Sequence, residues 1–489
     1  MTNDDHTGTD VPAREEGTHS LSAARADTLI GTPPPRPTSR VKPVLLMGLL
    51  SVVAVVAAIG FFHRLVPSPS QPEDQRSYTT MPTIGYSGSA TSTGAISPAW
   101  ASGVETAWRI PFPSTKYGPR ALTTVEGTTL YALFEDPDRP THQVTAAAFD
   151  ISSEQPRELW RTTGTLPNSL GRPSFVSYED QFIVGSIVVN KASGAQSLAP
   201  WEGSEALAAV DGIVVACDNK RACSGWTQEA SSWVRQWETT TANQQGSLST
   251  LTKLTYPDTP VIGTGEHESV VLPVDSQTHA AQLLDPRTGQ VTDVGSVSPF
   301  RDRQNNVVSF AFASDGIVAF NDDLFVTYDA DGFITGTQSY EKSMRRPTRD
   351  GRMPSTSELG DFLVGGLPAW SNATVFRSTT GTGGSPSTLT VTPSDGRPPF
   401  TLDAGNNDQH YDVSTFWPSE VRASADASVV YVESVEANTT GNRFFFDKAS
   451  GKGHGSQEFH DADRLMWAFD DLAIGVTIDG VVAFTPKAS

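Results

Sequence analysis

The residues best suited to chemistry in this chain are two cysteines and a few clusters of histidine and carboxylate. Cys217 and Cys223 are the only cysteines, set in Cys217-Asp-Asn-Lys-Arg-Ala-Cys223-Ser-Gly-Trp226. Two cysteines bracketing a polar turn between strands, outside the reducing cytosol, are expected to form a disulfide. A two-ligand metal site is the other reading, and no histidine lies within the segment to complete it. Gly265-Glu266-His267-Glu268 and Gly453-His454 with His460-Asp461-Ala462-Asp463 could offer imidazole and carboxylate ligands. Neither has the histidine spacing of a zinc-binding helix, and polar loop tips account for both. Asp329-Ala-Asp-Gly332 begins like a calcium loop, but Gly332 occupies the third acidic position and no Glu follows at the needed offset. The run from Asp403 to Asp412 is dense in oxygen ligands, as an acidic connection between strands also is. No Gly-x-Ser-x-Gly, phosphate-cradling loop or haem motif is present, and a Ser/His/Asp triad is a spatial arrangement that spacing does not reveal. No catalytic, cofactor-binding or metal residue is assigned, and the site expectation is the Cys217–Cys223 disulfide.

The elements around these residues are short and extended. Runs such as Thr129-Leu-Tyr-Ala-Leu-Phe134 and Ala427-Ser-Val-Val-Tyr-Val432 read as strands. From Gly316 to Thr335, three such runs are joined by Asn321-Asp-Asp323 and Asp329-Ala-Asp-Gly332, an antiparallel meander with tight turns. The turn type recurs at Asn190-Lys-Ala-Ser-Gly194, Asp285-Pro-Arg-Thr-Gly289, Ser394-Asp-Gly396 and Asp447-Lys-Ala-Ser-Gly451, with a weaker counterpart at Asp150-Ile-Ser-Ser. In each, Asp or Asn can accept from backbone N–H groups two residues on, and Gly supplies a positive φ. A strand with a central Trp also repeats, at Trp108, Trp160 and Trp237. Intervals of about 40–60 residues are the period of a propeller blade.

The turns and Trp strands resemble the quinoprotein-type (pyrroloquinoline-quinone-like) β-propeller repeat over roughly residues 104–487. That family joins its outer strands with an Asp-x-x-Thr-Gly-Lys turn, approached here by Asp285–Gln290 and Asp447–Lys452. The whole chain also resembles single-pass, propeller-bearing envelope proteins of actinobacteria. The quinone-dependent enzymes of the fold carry an adjacent Cys-Cys pair at the cofactor. This chain has none, so no bound quinone or other cofactor is expected.

The resulting expectation is an all-β fold, a propeller of about eight four-stranded blades in 100–489. Candidate blades lie near 117–165, 171–201, 205–240, 250–297, 305–340, 357–403, 410–460 and from 464. Seven blades, or tandem β-sandwich domains, are the alternatives. The last blade lacks a fourth strand, whereas Val104–Pro111 is a Trp strand with no blade. Pairing that strand with the chain end near Val481–Phe484 would close the ring and remove two sheet edges.

Pro43 to Phe62 holds twenty residues without a charge. As a helix they reach about 30 Å, the thickness of a bilayer core. A transmembrane helix over 43–63 is expected, rather than a cleaved signal. The excess of Arg25, Arg36, Arg40 and Lys42 before it over Arg64 and Arg76 after it favours an N-terminus inside the cell. Residues 1–42 lack periodicity and are expected to be a disordered cytoplasmic tail. Residues 64–99, with Pro67, Pro69, Pro72, Pro82 and Pro98, read as a linker spanning roughly 30–35 Å.

The formal net charge is −20. Residues 1–42 contain five basic and six acidic side chains, which leaves −19 for the remainder. Such a surface repels nucleic-acid phosphates, so nucleic acid is excluded as a partner. The expected role is a membrane-tethered, extracytoplasmic interaction or assembly scaffold with an envelope or membrane protein partner. A ligand-binding domain or enzyme with its site in the central channel is the alternative, and the lack of a catalytic motif favours the scaffold.

Overall fold

Two properties of the chain dictate its architecture: strands of two to nine residues, and turn chemistry that returns each strand beside the last. The structure is a computed structural model. It describes residues 84–112, 121–136, 143–165, 175–201, 203–218, 222–230, 232–241, 260–275, 280–294, 309–321, 323–341, 345–349, 352–378, 388–409, 418–434, 442–478 and 480–488. The chain divides into compact units at residues 1–77 and 78–489, and every described residue belongs to the second. The expected tail 1–42, the membrane segment 43–63 and the first part of the linker lie outside the described residues. Among the described residues, no helix is long and apolar enough to cross a membrane.

The strands pair into eight four-stranded antiparallel sheets. Blades 1 to 7 use consecutive strands within 121–165, 175–198, 205–240, 261–294, 309–339, 345–403 and 418–454. Blade 8 takes three strands from 463–486 and its outermost from Val104–Pro111. The fold is an eight-bladed propeller, so the seven-bladed and sandwich alternatives fall away. First strands of neighbouring blades lie side by side between blades 1 and 2, 2 and 3, and 6 and 7, as strands around a central axis do.

Ring closure follows the expected register. Val104 pairs with Pro486, Trp108 with Ala483, Arg109 with Val482 and Ile110 with Val481. Trp108 is fully buried, in one cluster with Phe469, Leu472 and Val481 of blade 8 and Leu130, Phe149 and Ile151 of blade 1. The closing strand thus contributes both a sheet edge and the seam to the next blade.

The other Trp strands make seams as well. Trp160, on the outer strand of blade 1, donates its Nε1–H to Lys191 O at 2.8 Å in the blade 2 turn. Trp237, on the outer strand of blade 3, donates to Pro286 O at 2.8 Å in the blade 4 turn. Each ring covers the turn's glycine: a Cβ on Gly194 or Gly289 would sit 2.3 or 2.6 Å from the indole. Both glycines have positive φ, +72° and +73°. Gly is therefore required twice over, by the backbone and by the indole lying on it. The turn Asp and Asn side chains act as expected: Asp447 Oδ1 and Oδ2 accept from Ala449 N and Ser450 N, and Asn190 Oδ1 accepts from Ala192 N and Ser193 N.

Two elements depart from the sequence reading. Residues 84–99, placed in the linker, lie against the propeller from Ile84 onward. Tyr86 is buried against Phe469, with its hydroxyl on Asp471 at 2.8 Å. Ile96 bridges Ser424 of blade 7, and Trp100 stacks on Phe445 with centroids 4.2 Å apart. A Pro/Ser/Thr-rich composition hid two buried side chains, Tyr86 and Ile96, whereas Trp100 falls within the expected propeller. Helix α1 (Thr356–Leu363) sits between the first and second strands of blade 6. Its Ser355–Glu358 capping box was legible as Ser-Thr-Ser-Glu. Leu359, Phe362 and Leu363 pack it against Phe325 of blade 5. Blade 6 therefore begins at Arg345, ahead of the expected 357.

Because each blade is a meander, successive connections alternate between the two ends of the ring. First-to-second and third-to-fourth strand turns emerge on one face. Apart from 348–372, which carries α1, those between described strands span at most six residues. On the opposite face lie the strand ends that the blade-to-blade connections join, including Thr240 and Val261, Val294 and Ser309, and Asp403 and Pro418. The segment 84–103 crosses the short-turn face, touching the blade 1 turn at Glu154, the blade 8 turn at Asp470 and the blade 7 turn at Ser424.

Candidate functional site

The sequence candidates occupy separate places. Cys217 ends the second strand of blade 3, and Cys223 stands opposite it on the third. Cross-strand neighbours in register bring the sulfurs to 2.05 Å, and both residues are buried. The pair staples the long-connection end of that hairpin. Asp329, considered for calcium, uses Oδ1 to accept from Asp331 N and Phe333 N, so its carboxylate serves the turn. His267 meets only Asp331 across an exposed gap of 3.1 Å. Asp408 faces His454 Nδ1 at 3.3 Å and accepts from Gly455 N at 3.1 Å, which ties the 403–412 connection to the outer edge of blade 7. Among the described residues, no group of three or more His, Cys, Asp and Glu side chains is placed to hold a metal.

His460 is the exception among the candidates, because it is buried at 2% exposure in helix α2 (Gln457–Asp461). Its Nδ1 accepts the backbone N–H of Arg443 at 2.9 Å, so the neutral ring carries its proton on Nε2. Burial first, and then the Arg443 guanidinium, pushes its pKa down from 6.5 to about 4, against smaller opposing effects of Asp408 and Asp461. A folded-state pKa below the unfolded one means that acid favours the unfolded chain. The contribution of His460 is full above pH 6.5 and declines as pH falls to about 4, by roughly 3 kcal/mol in total. Chemical denaturation between pH 7.5 and 4 should show this loss in the wild type. The His460→Asn variant, which keeps an acceptor for Arg443 N–H, should lack it.

Around His460 lies a buried ionic network that no local motif announced. Strand pairing puts Glu420 beside Glu433 and Arg422 beside Tyr431, all on the face of blade 7 toward blade 8. Arg422 Nε donates to Glu420 Oε1 at 2.8 Å, and its guanidinium lies 5.0 Å over the Trp467 ring of blade 8. Arg443 Nη2 reaches Glu433 Oε1 at 3.4 Å. Its Nη1 donates to Phe459 O, His460 O and Ala462 O at the end of α2. Tyr431 Oη donates to Glu433 Oε2 at 3.3 Å. Burial alone would raise the Glu420 carboxyl, but the Arg422 and Arg349 guanidiniums outweigh it and hold it below its ordinary range. Burial drives the Tyr431 phenol well above its ordinary value, with Glu433 adding to the shift. The only sequence trace of this network is Glu420-x-Arg422 on one strand. Its members come together through register, not spacing. Chemically it is a closed set of charges that joins blade 7 to the closing blade.

The two faces of the ring differ as surfaces. The short-turn face is in part covered by 84–103, whereas the long-connection face carries the Cys217–Cys223 hairpin end, α2 and the longest inter-blade stretches.

No protein-family model and no curated protein sequence matches the chain. Among solved structures it is similar to the WD40 domain of SCAP from fission yeast, at 9% identity and a TM-score of 0.43, over 78% of this chain and 97% of that one. It is also similar to Sqt1 from Chaetomium thermophilum, at 11% and 0.41, over 78% and 98%. Sqt1 from Saccharomyces cerevisiae gives 11% and 0.41, over 84% and 100%. The eight-bladed ring stands on the strand pairing itself.

Proposed function

We propose that the protein is a membrane-tethered, extracytoplasmic interaction scaffold of the cell envelope. In this reading residues 43–63 hold it in the bilayer with the N-terminus inside, and the long-connection face engages an envelope or membrane protein. The observation that carries the reading is the inequality of the two faces. Long connections on a rigid ring can vary without cost to the blades, and binding residues concentrate on such segments. The described chain enters at Ile84 on the other face, which leaves the long-connection face clear of it. The acidic balance of the chain favours a partner with a basic surface.

Partner recovery tests this directly. Full-length protein is cross-linked on intact cells and purified, with residues 242–259 replaced by a short Gly/Ser turn or with the 394–399 turn replaced. Partner recovery should fall at least tenfold for the first variant and hold for the second. Equal recovery from both, at unchanged thermal stability, would remove the long-connection face from the reading. Protease on the same cells should leave residues 1–42 protected, and release of a fragment containing them would reverse the orientation.

A further inference from the structure

The seam between blades 6 and 7 is apolar through most of its depth, where Val375, Leu389 and Val391 meet Val421, Val432 and Phe444. Its long-connection end has a different chemistry. Arg346, on the axis-lining strand of blade 6, stands directly across from Val375, and Arg377 lies two residues beyond Val375. On blade 7, Ser434 lies two residues beyond Val432 and pairs in register with Asn442. The two-residue period of a strand puts all four on the walls of this one seam, at the same end. Arg346 and Arg377 are diagonal neighbours on adjacent strands, a spacing that long side chains bridge. Arg377, Ser434 and Asn442 are buried, and Arg346 is half-buried on the channel side.

Arg346 is the unusual member. Its Nε is buried with no hydrogen-bond partner, and Nη1 reaches only the carbonyl of its neighbour Arg345 at 3.4 Å. Among the described residues, no carboxylate forms an ion pair with it. Desolvation also depresses the pKa of both Arg346 and Arg377. The nearby carboxylates Glu420 and Glu433 project from the opposite face of blade 7, where Arg422 and Arg443 engage them. A guanidinium withdrawn from water without a counter-charge is unfavourable, and an anion from solution would relieve it.

We propose that this end of the blade 6–7 seam binds a small oxyanion, a phosphate or carboxylate group, with Arg346 as its principal contact. The planar guanidinium fork matches two oxygens of either group, and Asn442 places a neutral polar side chain at the same end of the seam. A guanidinium with no carboxylate partner among the described residues, set in a chain of net charge −20, makes a local attraction for a small anion. The site is independent of the scaffold reading, because it uses strand positions in the seam and not the connections.

Calorimetric titration of the full-length protein with inorganic phosphate, and separately with acetate, tests it at ionic strength held constant with sodium chloride. Saturable binding of at least one anion is expected. Arg346→Gln should weaken it tenfold or more, and Arg346→Lys, which keeps the charge but loses the fork, by less. Arg397→Gln, on an exposed turn elsewhere, should change nothing. Tighter binding of phosphate assigns a phosphate group, and tighter binding of acetate a carboxylate. No saturable binding of either anion overturns the proposal, as does undiminished binding by a folded Arg346→Gln protein.

Discussion

Deleting residues 100–112 is expected to destabilise the propeller as severely as deleting the final residues 480–489. The two segments are partners in one blade: Val104–Pro111 pairs along 480–486, and neither edge has another strand to meet. Single substitutions separate the contributions. Trp108→Ala empties the seam between blades 8 and 1 and should cost about 3–5 kcal/mol. Trp100→Ala should cost a similar amount, because the indole stacks on Phe445 and donates Nε1–H to Asp470 O at 2.9 Å. Phe333→Ala, at 70% exposure, is the control and should change stability by less than about 0.5 kcal/mol. Chemical denaturation of each full-length variant supplies the comparison. Should the 113–489 chain melt with the intact protein, the closing strand would be dispensable and this account would fail.

Arg443→Met is expected to be the most damaging single change in the ionic network, at about 3–5 kcal/mol. The methionine fills much of the volume but takes the guanidinium away from the half-buried Glu433 carboxylate. It also strips Phe459 O, His460 O and Ala462 O of their shared donor at the end of α2. Glu433→Gln added to Arg443→Met should recover part of the loss, because it removes the stranded charge. It should not recover all of it, because the three carbonyls remain without the guanidinium. A double-mutant cycle in urea measures the split. A cost below about 1 kcal/mol for Arg443→Met would show that water already serves these groups.

The sequence exposed whatever was local or periodic. The Cys217–Cys223 pairing was legible because six residues and one turn separate the cysteines, and strand register does the rest. Blade positions were legible from turns whose chemistry repeats, and closure from an unmatched Trp strand at one end facing an unfinished blade at the other. Helix α1 was missed although its capping box was written in the sequence, because eight residues between strands carry little periodicity. The strap at Tyr86 and Ile96 was missed because composition averages over the few side chains that anchor it. Arg346 and Arg377, and Glu420 with Arg443, were invisible for a different reason. Each pair belongs to different strands and becomes a neighbour only through a register that no local spacing encodes.

The pairing of the chain's two ends also sets a clock on synthesis. Ser102 donates to Lys487 O across 385 residues, and the strand that follows Ser102 has no sheet to join until its partner is made. At about 5–20 residues per second, that interval lasts roughly 20 to 80 seconds. Blades 1 to 7 can form in order during it, each against the last, while Val104–Pro111 waits as an unpaired apolar strand. Blade 1 likewise waits for the Trp108 that seals its flank. The growing propeller is therefore an open arc until residues 480–486 are made, and it becomes a ring only then.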